Sequence, residues 1–297
     1  MYTDKIVVVS GPTASGKTAY AINFARENNG VIINADSMQI YKGLPILSAQ
    51  PSKEELSMAE HLLFSFLEPN DNCNVGRWLN FAKMQIDDCF IRGKTPIIVG
   101  GTGMYISKLI NGLSRIPEIP VDFRESIVEN YDKIGHDEFY KKALEIDADY
   151  VKQLNKNDRQ RLVRVVEVFL YTGKTLRNFQ KDGNLLIYPR EKFYHININP
   201  PRDLVYQKCL LRFKKMISDD NVISEVKQFI KNNPTIVNDF SSYSISHTIG
   251  LIEIKKYLDC EISIDEVVDL SVKITRNYAK RQYTWFNNQF DDFDLTV

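Results

Sequence analysis

The sequence predicts an α/β fold whose core is a parallel sheet, with a helical subdomain inserted into it. Two observations support this prediction. Up to residue 100, short β-branched runs alternate with stretches of helical periodicity, a pattern typical of a parallel sheet covered by helices. From about residue 117 to 190 the chain is strongly charged and helical in pattern, without a convincing buried strand.

Three apolar runs predict strands buried on both faces, at residues 6–9, 31–33 and 96–99. Helices are predicted over 17–28 and 74–91, because apolar residues recur there at helical spacing and glycine-containing stop signals follow. Glycine-rich turns follow the first and third strands. Ligands of such sheets collect at the carboxyl ends of the strands, so both turns are expected at the ligand-binding edge.

The expected domain organisation consists of three segments. Residues 1–116 would form the α/β core, 117–192 a helical insertion, and 193–297 a return strand and C-terminal helices that complete the core. A proline-rich connector marks the first boundary, and an alternating run over 192–199 predicts the returning strand. An insertion of this length is too long for an ordinary loop.

Composition indicates a globular protein in which any site for a polyanion would be a local patch. The 297 residues are 43% apolar, and 38 Lys and Arg balance 38 Asp and Glu, so no whole-molecule attraction to nucleic acid is expected. The four cysteines lie far apart, without the spacing of a zinc site. No apolar run approaches the roughly 20 residues that cross a bilayer. A cytoplasmic, monomeric protein without a membrane segment is expected.

The turn after the first strand matches the phosphate-binding pattern G-x-x-x-x-G-K-[ST]. It comprises Gly11, Pro12, Thr13, Ala14, Ser15, Gly16, Lys17 and Thr18. In this pattern the glycines allow backbone N–H groups to face phosphate oxygens at a helix N-terminus. Lys17 adds a positive charge and Thr18 a hydroxyl for Mg²⁺. The loop therefore predicts a P-loop NTPase-like core that binds a pyrophosphate or polyphosphate group.

Asp36 follows the second predicted strand and should lie at the same edge of the sheet. It could act as a general base or as an outer ligand of Mg²⁺. A helix N-cap is the alternative, because Asp is a preferred capping residue.

Two cationic segments admit more than one interpretation. Arg159, Arg161 and Arg164 lie on one predicted helix, and such a stripe suits phosphate contacts on RNA, although a solvated helix face is the commoner origin of such charges. The run 276–285 mixes cations with aromatic residues. That mixture is frequent on nucleic-acid surfaces, and also on ordinary amphipathic helices.

Taken together, the motifs resemble those of the bacterial tRNA dimethylallyltransferases, also called tRNA isopentenyltransferases. The matching segments span nearly the whole chain in the family's order: 11–18, 36–43, 100–105, 157–164 with 167–168 and 173–175, and 279–285. The resemblance implies transfer of a dimethylallyl group from dimethylallyl diphosphate to the exocyclic amine of the adenine 3′-adjacent to the anticodon. tRNA, through its anticodon stem-loop, and Mg²⁺ would be the partner and the cofactor.

The resemblance also implies roles for individual residues. Lys17, Thr18 and Asp36 would be catalytic, with Asp36 as the base and Thr18 on the metal, and Arg212 would join the loop at the diphosphate. Contacts to tRNA would come from Asp36, Ser37, Met38, Gln39, Thr102, Arg124, Gln160, Arg161, Leu162, Val163 and Arg164.

This chain departs from the family pattern in two places. Leu47 and Gln50 stand where a glycine and a lysine are usual, and Leu251 and Ile252 stand where an aromatic residue and a cation are usual. Two other enzyme classes stay open, a P-loop small-molecule kinase and an isopentenyltransferase acting on free adenylate. A nucleotide-dependent RNA-binding protein is the non-enzymatic alternative.

Overall fold

The computed structural model describes residues 2, 4–290 and 292–297. Its strands are β1 Ile6–Ser10, β2 Gly30–Asn34, β3 Glu60–Leu62, β4 Thr95–Gly100, β5 Leu113–Ser114, β6 Asn184–Leu185, β7 Phe193–Asn197 and β8 Leu295–Thr296. Its α-helices are α1 Lys17–Glu27, α2 Lys53–Met58, α3 Val75–Ile91, α4 Gly103–Asn111, α5 Val121–Ile134, α6 His136–Val151, α7 Arg159–Thr172, α8 Leu176–Lys181, α9 Arg202–Ser218, α10 Val222–Asn232, α11 Pro234–Asn238, α12 Leu251–Leu258 and α13 Ile264–Gln289.

The chain divides into two compact units. One combines the residues up to Ile110 with Ile187–Val297, and the other is Asn111–Leu186. The first unit contains a sheet with strand order β3-β2-β4-β1-β7-β8, in which every neighbouring pair is parallel. The predicted α/β fold with a parallel sheet is therefore confirmed.

The phosphate-binding turn follows β1, a buried strand that pairs with a neighbour on each side. All five residues of β1 are buried, and its neighbours β4 and β7 are parallel to it, with Ser10 aligned to Gly100 and Asn197. β-Branched residues suit a strand enclosed on both faces. The turns that follow β1 and β4 consequently leave the sheet side by side.

The C-terminal helices α9 and α13 pack over the turn that follows β1. Val205 and Cys209 from α9 form a buried cluster with Ala279 and Tyr283 from α13, and Ala14 of the turn packs against it. This packing brings residues from the last third of the chain to the first glycine-rich turn.

The second unit has its own hydrophobic core, built from α5, α6, α7 and α8 around Phe139, Leu162 and Val166. Its boundaries differ from the expected 117–192, because the short strands β5 and β6 pair with each other, aligning Leu113 with Leu185. This pairing places the beginning and the end of the insertion about six residues earlier than the sequence suggested. The two short strands were not predicted.

The edge strands β3 and β8 were also missed by the sequence analysis. β3 is the polar tripeptide Glu60–Leu62, and β8 is an exposed pair, Leu295–Thr296. Elements this short carry too few residues for an alternating pattern. In the described part of the chain, no helix is long and apolar enough to cross a membrane.

Candidate active site at the phosphate loop

The predicted phosphate-binding turn connects β1 to α1 and contains three residues with positive φ angles. Gly11 and Gly16 have φ angles of 145° and 101°, and Ala14 one of 60°. A Cβ atom on Gly11 would lie 2.2 Å from the carbonyl oxygen of Ile198. α1 begins at Lys17 without a side-chain cap, so the N–H groups of its first turn remain available to an anion.

The Lys17 ammonium group is enclosed by this turn. Its Nζ donates to the carbonyl oxygen of Pro12 at 2.6 Å. Burial lowers the pKa of Lys17 to about 8, with Asp36 opposing this effect and the nearby Arg212 contributing to it. A cation that is partly withdrawn from water in this way favours an anionic ligand, because the ligand's charge compensates for the lost hydration.

Arg212 reaches the same turn from α9. Its Nη2 donates to the hydroxyl oxygen of Thr13 at 2.8 Å, and burial lowers its pKa, against which Asp36 acts. The Ser15 hydroxyl is buried in the same turn without a hydrogen-bond partner among the described residues. The turn thus combines two enclosed cations with a free polar group, which fits a diphosphate.

Asp36 lies just past the carboxyl end of β2 in a tight turn. Its Oδ1 accepts from the backbone N–H of Met38 at 2.9 Å, and its own N–H donates to Asn34 Oδ1 at 2.8 Å. The next helix along the chain begins only at Lys53, so this is a local turn and the helix N-cap alternative is wrong. The second carboxylate oxygen has no hydrogen-bond partner in the described residues and is available to a ligand.

The second glycine-rich turn, after β4, holds the segment that follows Asp36. Thr102 Oγ1 accepts from the N–H of Ser37 at 2.9 Å, and the Thr102 N–H donates to the Ala35 carbonyl oxygen at 3.2 Å. Thr102, expected at the tRNA site, therefore lies directly beside Ser37. Its side chain is partly exposed.

Gln282 joins the two glycine-rich turns, although no role was predicted for it. Gln282 lies on α13 and is 4% exposed. Its Oε1 accepts from the N–H of Thr13 and its Nε2 donates to the Gly101 carbonyl oxygen, both at 2.8 Å. The sequence signal that could have pointed to Gln282 is its place on a helix, on the same face as the buried Ala279 and Phe286.

Tyr278 is a second residue without a predicted role. Burial raises its pKa and the Asp36 carboxylate adds to this effect, while the neighbouring Thr102 and Gln282 lower it. The mixed cationic and aromatic run on α13 therefore contributes at least Tyr278 and Gln282 to this site. Lys280 and Arg281 of the same run are exposed.

Met38 and Gln39 extend the site along the chain. Gln39 Nε2 donates to the carbonyl oxygens of Ser48 and Ala49, at 3.1 and 2.9 Å, and the Thr248 hydroxyl lies 3.6 Å from Met38 Sδ. The Gln39 amide nitrogen is thus engaged within the protein, which leaves its carbonyl oxygen to accept from a ligand.

Three of the four residues that depart from the family pattern are accommodated within the fold, whereas Ile252 is 41% exposed. Leu47 is 6% exposed, and its N–H donates to Glu225 Oε2 at 2.8 Å. Gln50 donates to the Tyr41 carbonyl oxygen and accepts from the Ser65 hydroxyl. Leu251 is fully buried. These side chains are therefore used in packing and internal hydrogen bonds.

The tRNA-contact candidates of the second unit differ in exposure. Gln160 and Arg161 are exposed on α7, whereas Leu162 and Val163 are 0% and 8% exposed within the core of the unit. The side chains of Leu162 and Val163 therefore serve packing, and any contact with RNA would come from their exposed neighbours. The remaining candidates, Arg124 and Arg164, are partly exposed.

Mg²⁺ fits the donor atoms at this site. Thr18 and Asp36 both supply hard oxygen donors, and Asp36 interacts electrostatically with Lys17 of the loop. Bound Mg²⁺ typically uses one or two carboxylates together with substrate phosphates and waters. Among the described residues, no group of three or more His, Cys, Asp or Glu side chains could hold a metal ion.

Comparisons with known families and curated proteins agree on one relationship. The family model for IPP transferase matches residues 39–289, and that for isopentenyl transferase matches residues 4–65. The tRNA dimethylallyltransferase of Pelagibacter ubique is 39% identical over 95% of this chain and 88% of its own length. That of Ehrlichia canis is 39% identical over 97% of this chain and 93% of its own.

Solved structures show the same fold. The full-length tRNA isopentenylpyrophosphate transferase of Bacillus halodurans has a TM-score of 0.66 at 28% identity, covering 99% of this chain and 89% of its own. A eukaryotic dimethylallyltransferase, solved acting on tRNA, has a TM-score of 0.85 at 24% identity, covering 98% of this chain and 73% of its own. The predicted P-loop NTPase-like core is confirmed, and the chain belongs to the tRNA dimethylallyltransferase family.

Proposed function

We propose that the protein transfers a dimethylallyl group from dimethylallyl diphosphate to the exocyclic amine of the adenine 3′-adjacent to the anticodon in tRNA, releasing pyrophosphate. The observation that carries the proposal is a single carboxylate, Asp36, that interacts with two enclosed cations, Lys17 and Arg212, at a phosphate loop. The relatives named tRNA dimethylallyltransferase, which match this chain over most of their length, support the choice of substrates.

The loop would hold the leaving group. As the bond between the allylic carbon and the diphosphate oxygen breaks, negative charge grows on the diphosphate. The first-turn N–H groups of α1, the Lys17 ammonium and the Arg212 guanidinium would stabilise that charge, because they are already oriented before the reaction. Mg²⁺ held by the diphosphate, with Thr18 and Asp36 nearby, would supply further charge compensation.

Asp36 would accept the proton. The amine nitrogen of adenine forms the new bond to the allylic carbon and must lose one proton. Asp36 has one oxygen engaged by Met38 and the other without a partner in the described residues. An oriented carboxylate with one free oxygen can act as a general base.

The neighbouring residues would hold the adenine. An adenine stacked in the anticodon loop must leave the stack before its amine can enter a crevice. Ser37, Met38, Gln39 and Thr102 lie beside Asp36 and are partly exposed. The exposed arginines of the second unit would contact the phosphates of the stem, which position the RNA without reading its sequence.

The direct test is incubation of the protein with dimethylallyl diphosphate, Mg²⁺ and unmodified tRNA, followed by mass analysis of the nucleosides. Dimethylallyl-adenosine adjacent to the anticodon is the expected product. Modification of free adenylate alone, or ATP turnover without a modified adenosine, would contradict the proposal. The cytoplasmic location and the monomeric state stay predictions from the sequence.

A further inference from the structure

Glu167 is a buried carboxylate that joins two arginines from different helices of the second unit. It lies on α7 and its side chain is 1% exposed. Its Oε1 accepts from Arg124 Nε of α5 at 2.7 Å, and its Oε2 accepts from Arg164 Nη1 at 2.8 Å. Each carboxylate oxygen therefore holds one guanidinium group.

Both guanidinium groups extend from this buried carboxylate to the surface. The Arg124 and Arg164 side chains are 48% and 35% exposed. A guanidinium has five N–H donors, and each of these arginines uses one of them on Glu167. The remaining donors have no partner among the described residues, and the two cations together outweigh the one carboxylate.

The other arginines of α7 are held differently. Arg159 pairs with Asp132, whose side chain is 60% exposed, and Arg161 pairs with Asp158 at 3.2 Å while being 62% exposed itself. Exposed ion pairs restrain side chains weakly. A buried carboxylate with two charge-assisted hydrogen bonds restrains its partners strongly, because losing either partner would leave a buried charge uncompensated.

We propose that Glu167 is a positioning residue for tRNA binding, which holds Arg124 and Arg164 as a preformed pair for the phosphodiester backbone. The inference rests on the proposed function, since it takes tRNA as the ligand. Arginine binds phosphate through its planar fork, and a fork oriented before binding loses less conformational entropy when the complex forms. Glu167 itself does not contact the RNA.

The direction in which one substitution changes the affinity for tRNA tests this proposal. Glu167→Gln removes one negative charge beside two arginines and keeps the side-chain shape. If the arginines act only as charges, tRNA should bind more tightly. If Glu167 positions them, the Kd and the KM for tRNA should rise about tenfold, with kcat and the KM for dimethylallyl diphosphate unchanged.

Glu129→Gln is the matched control. Glu129 lies on α5, is exposed, and has no ion pair among the described residues, so its substitution makes the same charge change without disturbing the arginine pair. Its tRNA affinity should equal or slightly exceed that of the wild type. A Glu167→Gln variant that binds tRNA as well as Glu129→Gln would overturn the proposal, as would a loss of kcat together with affinity.

Arg124→Lys provides an independent test if Glu167→Gln does not fold, which thermal unfolding would reveal. This substitution keeps the charge at the position and lets an ammonium group pair with Glu167, but it removes the fork. A several-fold weaker tRNA affinity is expected, and wild-type affinity would reject the positioning role. Failure of the proposed function would appear separately, as a wild-type protein that forms no modified adenosine.

Discussion

At the scale of single residues, the site combines groups whose ionisation the fold controls. Lys17 is enclosed by the loop that it serves, so burial holds its pKa at about 8. Arg212 shares that environment but stays charged, because an arginine loses its proton only at far higher pH. Asp36 is held through one oxygen only.

Asp36→Asn should separate the chemical role of Asp36 from its structural one. Asparagine retains an oxygen that can accept from the Met38 N–H, but it cannot take a proton from the adenine amine. We expect kcat to fall about a hundredfold or more, with the Kd for tRNA nearly unchanged. Asp36→Ala is the comparison, because it removes the base and the turn together. Equal turnover in Asp36→Asn and the wild type would exclude Asp36 as the base.

The affinity for dimethylallyl diphosphate should depend on the ionisation of Lys17. Burial lowers the pKa of this lysine to about 8, so the free protein loses the cation as the pH rises above that value. An anion binds the protonated form, and the Kd should therefore rise toward about tenfold per pH unit above the pKa. Calorimetric titration between pH 7 and pH 9.5 measures this. The Lys17→Met variant should show weak, pH-independent binding over the same range.

At the scale of elements, two helices distant in sequence complete the loop. α13 supplies Gln282, which bridges the turns after β1 and β4, and α9 supplies Arg212. Without Gln282, the N–H of Thr13 in the first turn and the carbonyl oxygen of Gly101 in the second turn would lose these hydrogen bonds. The helices therefore determine the conformation in which the loop meets its ligand.

Gln282→Leu should destabilise the protein and weaken diphosphate binding. Leucine fits the buried position but leaves the Thr13 N–H and the Gly101 carbonyl oxygen without partners. The free energy of unfolding should fall by about 2 kcal/mol or more, since each buried unpaired group costs about 1–3 kcal/mol. Chemical denaturation and titration with dimethylallyl diphosphate measure the two effects. Gln289→Leu, exposed on the same helix, should change neither.

α7 carries the exposed Arg161, whose removal should weaken tRNA binding. Arg161→Ala is expected to raise the Kd and to reduce the slope of log K against log salt by about one unit. Binding measured by fluorescence anisotropy at several salt concentrations gives this slope. Lys141→Ala removes one exposed cation from α6 and serves as the comparison. An unchanged slope for Arg161→Ala would favour the alternative interpretation, in which the charges of α7 only face solvent.

At the scale of the whole molecule, two units with separate hydrophobic cores share one chain. The beginning and the end of the second unit lie next to each other, because Leu113 pairs with Leu185. Its core comes from its own helices. An insertion of this kind can be removed without breaking elements of the unit that carries it.

Replacing residues 113–185 by a short Gly-Ser linker should leave the first unit folded. The shortened chain should unfold cooperatively and bind dimethylallyl diphosphate within about a factor of two of the wild type, because the loop and its supporting helices all lie in that unit. Its affinity for tRNA should fall strongly. A shortened chain that is unfolded or no longer binds the diphosphate would show that the units depend on each other.

The features that could be predicted from the sequence are those that local physics controls. A glycine-rich turn after a β-branched run predicts a phosphate loop, because few other residues permit its backbone angles and its close approach to a ligand. The strands at residues 6–9, 31–33 and 96–99 could be predicted because strands buried on both faces need continuous apolar runs. The position of Asp36 at the sheet edge followed from these strands.

The groups that complete the site from distant parts of the chain depend on tertiary packing. Gln282 contacts Thr13 from 269 positions away, and no role was predicted for it. Arg212 contacts Thr13 from 199 positions away and was expected at the loop only from the family resemblance. Tertiary packing also makes Leu162 and Val163 of the arginine helix core residues, and it brings Arg124 and Arg164 together at Glu167. Contacts between separate elements depend on how helices pack, and packing leaves little trace in the spacing of residues along one element.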